Sequence, residues 1–136
     1  MTNAVDIFSE FAINPDLEND GVWVPFKGDV EFCIARAGNK AYNKALALAF
    51  KRNKALLEGN TDASEEKSEE IMIEVTAKHI LKGWKGKVAL QGKVVEYSVD
   101  NAKGLLALKG FREWVMAQAS EVSQYKAVQD EDSEKN

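Results

Sequence analysis

IMIEVTAKHILKGWKG, residues 71–86, is the longest densely apolar run in the chain. Glu70, Glu74, Lys78 and Lys82 recur every four positions through it, which places them on one narrow stripe of a helix. Ile71, Met72, Ile73, Val75, Ala77, Ile80 and Leu81 then cover most of the remaining circumference, and a helix apolar over most of its surface must be largely buried. The stretch therefore predicts a central helix, with Glu74 and Lys78 in the favourable order for an exposed ion pair. Trp84-Lys85-Gly86 closes it, a large anchor followed by a breaker. The rest of the chain should be what covers this element.

Working outward, 136 residues suffice for one hydrophobic core and fall short of two ordinary domains. The apolar fraction of 45% and charged fraction of 29% suit a soluble globular protein, and no apolar run approaches a membrane span. The opening MTNAVDIFSEF has early acids in place of a basic region and an apolar signal core, so a cytoplasmic protein is expected. A net charge of −4 argues against a surface built to neutralise nucleic-acid phosphates. The short basic cluster Lys51-Arg52-Asn53-Lys54 reads more simply as a solvated helix face.

Residues 1–20 alternate short apolar pairs (Ile7-Phe8, Phe11, Ile13) with turn formers and predict a loosely ordered arm, its apolar side chains docked or held for a partner. Residues 21–126 predict a single α+β, mainly helical domain: an N-terminal β-hairpin followed by about four helices. In the hairpin, VWVPF and VEFCI flank Lys27-Gly28-Asp29, Val30, Phe32 and Ile34 share a face, and Pro25 confines the first strand to an edge. Asn39 caps the first long helix, with Tyr42, Ala45, Leu46, Ala49, Phe50, Asn53, Leu56 and Leu57 at helical spacing. Residues 61–66 form a polar loop that leads to the central helix, and the two helices should lie as an antiparallel hairpin. A small hairpin around Gln91-Gly92 follows. Ser98 caps a helix burying Ala102, Leu105, Leu106 and Leu108, and Phe111, Trp114, Val115, Gln118, Val122 and Tyr125 mark a last amphipathic helix. Residues 127–136, without an apolar side chain beyond Val128, predict a disordered acidic tail.

The chemistry-bearing residues do not form a recognisable set. His79 is the sole histidine, which removes histidine-pair metal sites, and its place on the central helix suits a packed, hydrogen-bonded residue. Cys33 is the sole cysteine and reads as a small buried hydrophobe. The acidic pairs Glu65-Glu66 and Glu69-Glu70 complement a helix dipole, and the glycines at 83, 86 and 92 lack phosphate-loop context. No catalytic, cofactor-binding or metal-binding residue is assigned, and an enzyme is not expected. The aromatics Trp23, Phe26, Trp84, Phe111 and Trp114 remain as candidate partner-binding residues, although core or boundary packing is the simpler explanation of each.

Three further stretches carry a resemblance. Ile34-Ala35-Arg36-Ala37-Gly38-Asn39 runs into Ala41-Tyr42-Asn43-Lys44-Ala45, Leu81-Lys82-Gly83-Trp84-Lys85-Gly86 lies downstream, and Tyr97-Ser98-Val99-Asp100-Asn101-Ala102 precedes Leu105-Leu106. In this order they resemble the Arg-x-Gly-Asn-x-x-Tyr-x-x-Ala, Trp-x-Gly and Tyr-Ser-x-Glu/Asp-Asn-Ala motifs of the tail assembly chaperones of long-tailed bacteriophages and prophages. The resemblance implies a noncatalytic protein that binds the tape measure protein, keeps it soluble, helps tail-tube subunits polymerise around it, and leaves before the virion is mature. It implies as partners the tape measure protein and, through a frameshift-extended form, the tail-tube protein. The terminal Lys135-Asn136 is compatible with a slippery run of adenines. Self-association is compatible with this role, whereas nucleic acid and membrane are not expected partners. The alternative is a structural tail or head-tail joining protein retained in the virion.

Overall fold

The computed structural model describes residues 3–128. In chain order the elements are α1 (Ile7–Phe11), α2 (Pro15–Asp20), β1 (Val22–Pro25), β2 (Glu31–Ile34), α3 (Lys40–Arg52), α4 (Lys54–Leu57), α5 (Asp62–His79), β3 (Leu81–Lys85), β4 (Ala89–Leu90), β5 (Lys93–Val94), α6 (Val99–Leu106) and α7 (Lys109–Ala119), then a single 3-10 turn at Val122–Gln124. The fold is α+β and mainly helical. The β1–β2 hairpin leads into the longer helices α3, α5, α6 and α7, with shorter ones between and before them.

The central stretch divides in two. α5 starts well ahead of the apolar run, because Thr61 and Ser64 form a reciprocal capping box: the Thr61 hydroxyl accepts from the Ser64 amide at 3.2 Å, and the Ser64 hydroxyl accepts from the Thr61 amide at 2.7 Å. Residues expected as a loop are thus the first turn of the helix. At the other end α5 stops at His79, and Leu81–Lys85, expected to continue the helix, form a strand. Gly83 is a poor helix residue, and the free edge of β2 pairs with β3, the register shifting once where Cys33 and Ile34 oppose Gly83 and Leu81. β3 joins β2 antiparallel, with Phe32 opposite Trp84 and Cys33 opposite Gly83, in a sheet of order β1-β2-β3. β1 lies on the edge, as Pro25 requires.

Gly86 ends β3 where only glycine fits. Its φ is +84°, and a Cβ there would sit 2.8 Å from the Asp29 carbonyl oxygen in the β1–β2 turn. The charged stripe is real within α5: Glu70 and Lys78 are exposed, and Lys78 meets Glu74 at 3.0 Å. Lys82 is also exposed, but it projects from the strand.

α3 and α4 pack along α5 and meet at a break at Asn53, whose side-chain amide donates to the Ala49 carbonyl at 2.8 Å. α3 is started by Asn39, which is buried at 2% exposure. Its Oδ1 accepts from the Tyr42 amide at 2.9 Å, and its Nδ2 donates to the carbonyls of Arg36 at 2.9 Å and His79 at 3.1 Å. One side chain therefore ties the end of the hairpin, the start of α3 and the end of α5 together. Ile34, Ile71, Val75, Ile80, Leu81 and Leu106 lie at the centre of the core. Thr76 is buried beside them, and its hydroxyl has no hydrogen-bond partner among the described residues.

The β4–β5 hairpin turns through Gln91 and Gly92, both at positive φ, and Ser98 caps α6 by accepting from the Asn101 amide at 3.0 Å. Ala102, Leu105 and Leu106 are buried as expected, but Leu108, expected in the core, is 55% exposed because α6 has already ended. α7 stops at Ala119, before the last residues of its apolar stripe. Tyr125 is nevertheless fully buried, and its hydroxyl donates to the Ile34 carbonyl at 2.9 Å. The following segment holds the N-terminal arm: the Asn14 amide donates to Tyr125 and the Ala127 amide to Ala12, both at 2.8 Å. The acidic tail expected over residues 127–136 lies outside the described residues from residue 129 onward.

Candidate functional site

Strand alternation sorts the candidate aromatics. Residues paired across neighbouring strands point to the same face, so Val24, Phe32 and Trp84 form one row, and Trp23, Cys33 and Gly83 form the next row on the opposite face. The first row faces α7. Phe32 is 3% exposed and lies at the centre of a ring cluster, with Phe111 at 5.1 Å, Trp114 and Phe26 both at 5.8 Å, and Trp84 at 6.1 Å between centroids. Four of the five candidate residues are thus brought together. Trp23 is not among them.

Their exposure separates packing from presentation. Trp84 is half-buried, donates its indole N–H to the Val95 carbonyl at 3.3 Å, and meets the Tyr97 ring at 5.1 Å. Tyr97 in turn donates its hydroxyl to the Leu81 carbonyl at 2.9 Å, so these two rings pin the β4–β5 hairpin to the edge of β3. Phe111 and Trp114 are half-buried and stacked at 6.1 Å. Phe26 lies at the rim, 45% exposed, with its ring 5.1 Å from Trp114 in an edge-to-face contact. On the other face Trp23 is 43% exposed, and the Lys85 ammonium sits 4.0 Å above its ring. The arrangement is a packed aromatic wall with an accessible crest at Phe26, and a separate, cation-covered ring at Trp23.

The titratable residues lie elsewhere. Cys33 is buried with its sulfur 3.3 Å from the Asp20 carbonyl, and burial pushes the thiol pKa up, away from the reactive thiolate. His79 is half-exposed at the lip of the groove between α3 and α5 and not in the core where its helix position placed it. Partial burial, then Lys82 and Lys78, push its pKa down. Among the described residues no group of three or more His, Cys, Asp or Glu is placed to hold a metal ion, and no described helix is long and apolar enough to cross a membrane.

Further apolar side chains are exposed where periodicity suggested cover. Phe50 and Leu56 are 37% and 42% exposed although they share the helical spacing of buried Tyr42, and Leu48 is 44% exposed. In the arm, Ile7, Phe8 and Phe11 are all more than half exposed. The arm's apolar pairs were the only sequence signal for this surface, since a five-residue helix is too short to display a period.

Residues 37–136 match the family model described as YdaY prophage protein. The chain belongs to the YdaY prophage protein family. No curated protein and no solved structure matches it.

Proposed function

We propose that this prophage protein is a noncatalytic tail assembly chaperone that binds the tape measure protein, keeps it soluble and helps recruit tail-tube subunits, and that it is absent from the mature virion. The observation that carries this proposal is the aromatic wall with its accessible crest. A client made of long apolar helices needs a rigid aromatic surface to lie against, and Phe26, held by Trp114 and Phe32, offers one without being consumed by the core. Membership of a prophage family agrees with a role in phage assembly.

The resembling motifs add support because each lies at a joint of the fold. Gly38 adopts φ +82° to turn into Asn39, Gly86 ends β3 at a close backbone approach, and Ser98 with Asn101 opens α6. A scaffold with fixed joints can hold a binding surface rigid while its client varies.

The protein should be tagged and produced together with a tape measure protein of the same prophage. Co-purification is expected, and its absence would overturn the proposal. Mass spectrometry of purified virions distinguishes the structural alternative: an assembly chaperone is missing from them, whereas a tail or head-tail joining protein is retained.

A further inference from the structure

We propose that an extended segment of the client adds as a further strand along the free edge of β1. This rests on the chaperone reading and deepens it, because it names the form in which part of the client is held. The ladder decides which backbone groups the edge offers. The Phe26 amide donates to the Val30 carbonyl at 2.9 Å, so it faces β2, and Val24 opposite Phe32 and Val22 opposite Ile34 face β2 with it. Trp23 and Pro25, the residues between, turn their backbone groups away from β2. The Trp23 N–H, the Trp23 carbonyl and the Pro25 carbonyl have no hydrogen-bond partner among the described residues, since β1 is the outer strand of its sheet.

Side chains leave this edge bare. Residues 22–26 carry no charge, and Lys, a residue that blunts many edge strands, enters only at Lys27. The Trp23 ring reaches across the sheet, so that a side chain at Gly83 on β3 would begin 3.7 Å from it, and the Lys85 ammonium covers it there. The ring therefore points away from the edge it borders. Pro25 is a partial safeguard, because it withholds an N–H and limits how far a partner strand can pair. What matches the row of groups that remains is another extended backbone. In an antiparallel addition the client residue opposite Trp23 exchanges both bonds with it, and the residue opposite Pro25 donates without receiving. The edge runs directly into Phe26, the crest of the aromatic wall, so the occupant is the client itself: one segment pairs with β1 while its neighbour lies on the crest. Main-chain bonds do not read side chains, so a short ladder holds many apolar sequences weakly, which suits a long client whose segments differ.

The test uses the full chain, isotope-labelled and titrated with overlapping peptides that span the tape measure protein of the same prophage. Bound peptide is expected to slow hydrogen exchange at the Trp23 amide, which faces water in the free protein. Trp23→Pro removes that donor without touching the ladder to β2, and it should weaken binding about fivefold relative to Trp23→Thr, which keeps the N–H. Pro25→Thr supplies the missing N–H and should tighten binding by a similar factor. This expected gain keeps the test decisive even where Trp23→Pro lowers the melting temperature. Binding that is lost in Phe26→Asp, yet leaves the Trp23 amide unprotected and is indifferent to Pro25→Thr, overturns the inference and leaves the crest reading standing. Binding by none of the peptides overturns the inference, whereas co-purification with the whole client judges the crest reading separately. Protection of the Trp23 amide that rises with protein concentration in the absence of peptide overturns it too, since the occupant is then a second copy.

Discussion

Replacing Asn39 tests whether one buried side chain joins three elements of this fold. Its three hydrogen bonds, at 2.9, 2.9 and 3.1 Å, link the Tyr42 amide at the start of α3, the Arg36 carbonyl after β2 and the His79 carbonyl at the end of α5. Asn39→Ala removes a helix cap worth about 1 kcal/mol. It also takes the donor from two carbonyls, at about 0.5–1.5 kcal/mol each, for a total of roughly 2–4 kcal/mol. For a chain of this length that corresponds to a fall in melting temperature of roughly 10 °C. Asn39→Asp separates the contributions. The carboxylate keeps the cap and suits the helix dipole, but it replaces the donating amide with an oxygen facing two carbonyl oxygens. If the fold depends on all three bonds, Asp is at least as damaging as Ala near neutral pH. Urea titrations and thermal melts of the three proteins decide the matter. An Asn39→Asp variant as stable as wild type would refute the reasoning, because only the cap would then contribute.

Gly86→Ala should cost about 2–3 kcal/mol, since it adds a clash with the Asp29 carbonyl to the left-handed backbone penalty. Gly92→Ala, at a similar φ but with open space around it, should cost only about 1 kcal/mol, so urea midpoints of the pair isolate the clash. Burial pushes the Tyr125 phenol above its ordinary pKa of 10.0, so its stabilisation is complete below that pH and is lost as pH rises beyond it. Tyr125→Phe should cost about 1 kcal/mol at neutral pH and shrink the alkaline fall, with a residue left by Tyr42 and Tyr97, whose phenols are also raised by burial. Thr76→Val removes a buried hydroxyl that has no partner among the described residues and should raise stability by about 1 kcal/mol in thermal melts.

Local chemistry was legible in the sequence where it acts locally. The caps at Asn39 and Ser98, the Gln91-Gly92 turn, the Glu74–Lys78 pair and the edge placement of Pro25 all depend on neighbours within a few residues. The division of residues 71–86 was not legible, because β3 exists through pairing with β2, about fifty residues earlier in the chain. Ile80 and Leu81 are equally apolar in a helix or at a helix-to-strand corner, and they are fully buried here in the second way. The start of α5 was hidden for another reason: residues 61–66 are as polar as a loop, and the capping box is what makes them helical.

The aromatic cluster was half legible. Alternation in VEFCI assigned Phe32 to a buried face, but only the sheet register shows that Trp84 shares that face and that Trp23 lies on the other. Phe26 follows the end of β1, where strand alternation no longer predicts direction, so its place at the rim comes from its contact with Trp114 on α7. The exposure of Phe50 and Leu56 has a similar origin. The break at Asn53 divides one helical stripe between α3 and α4, and neither residue is covered.

The central claim is that the aromatic crest holds an assembly client. The soluble fraction of the tape measure protein, produced alone, with the wild-type chain, and with a Phe26→Asp variant of unchanged melting temperature, tests it most directly. The tape measure protein is expected to remain soluble with wild type and to return toward its solitary level with Phe26→Asp. Equal solubility with and without the wild-type chain, or full protection by Phe26→Asp, would contradict the account.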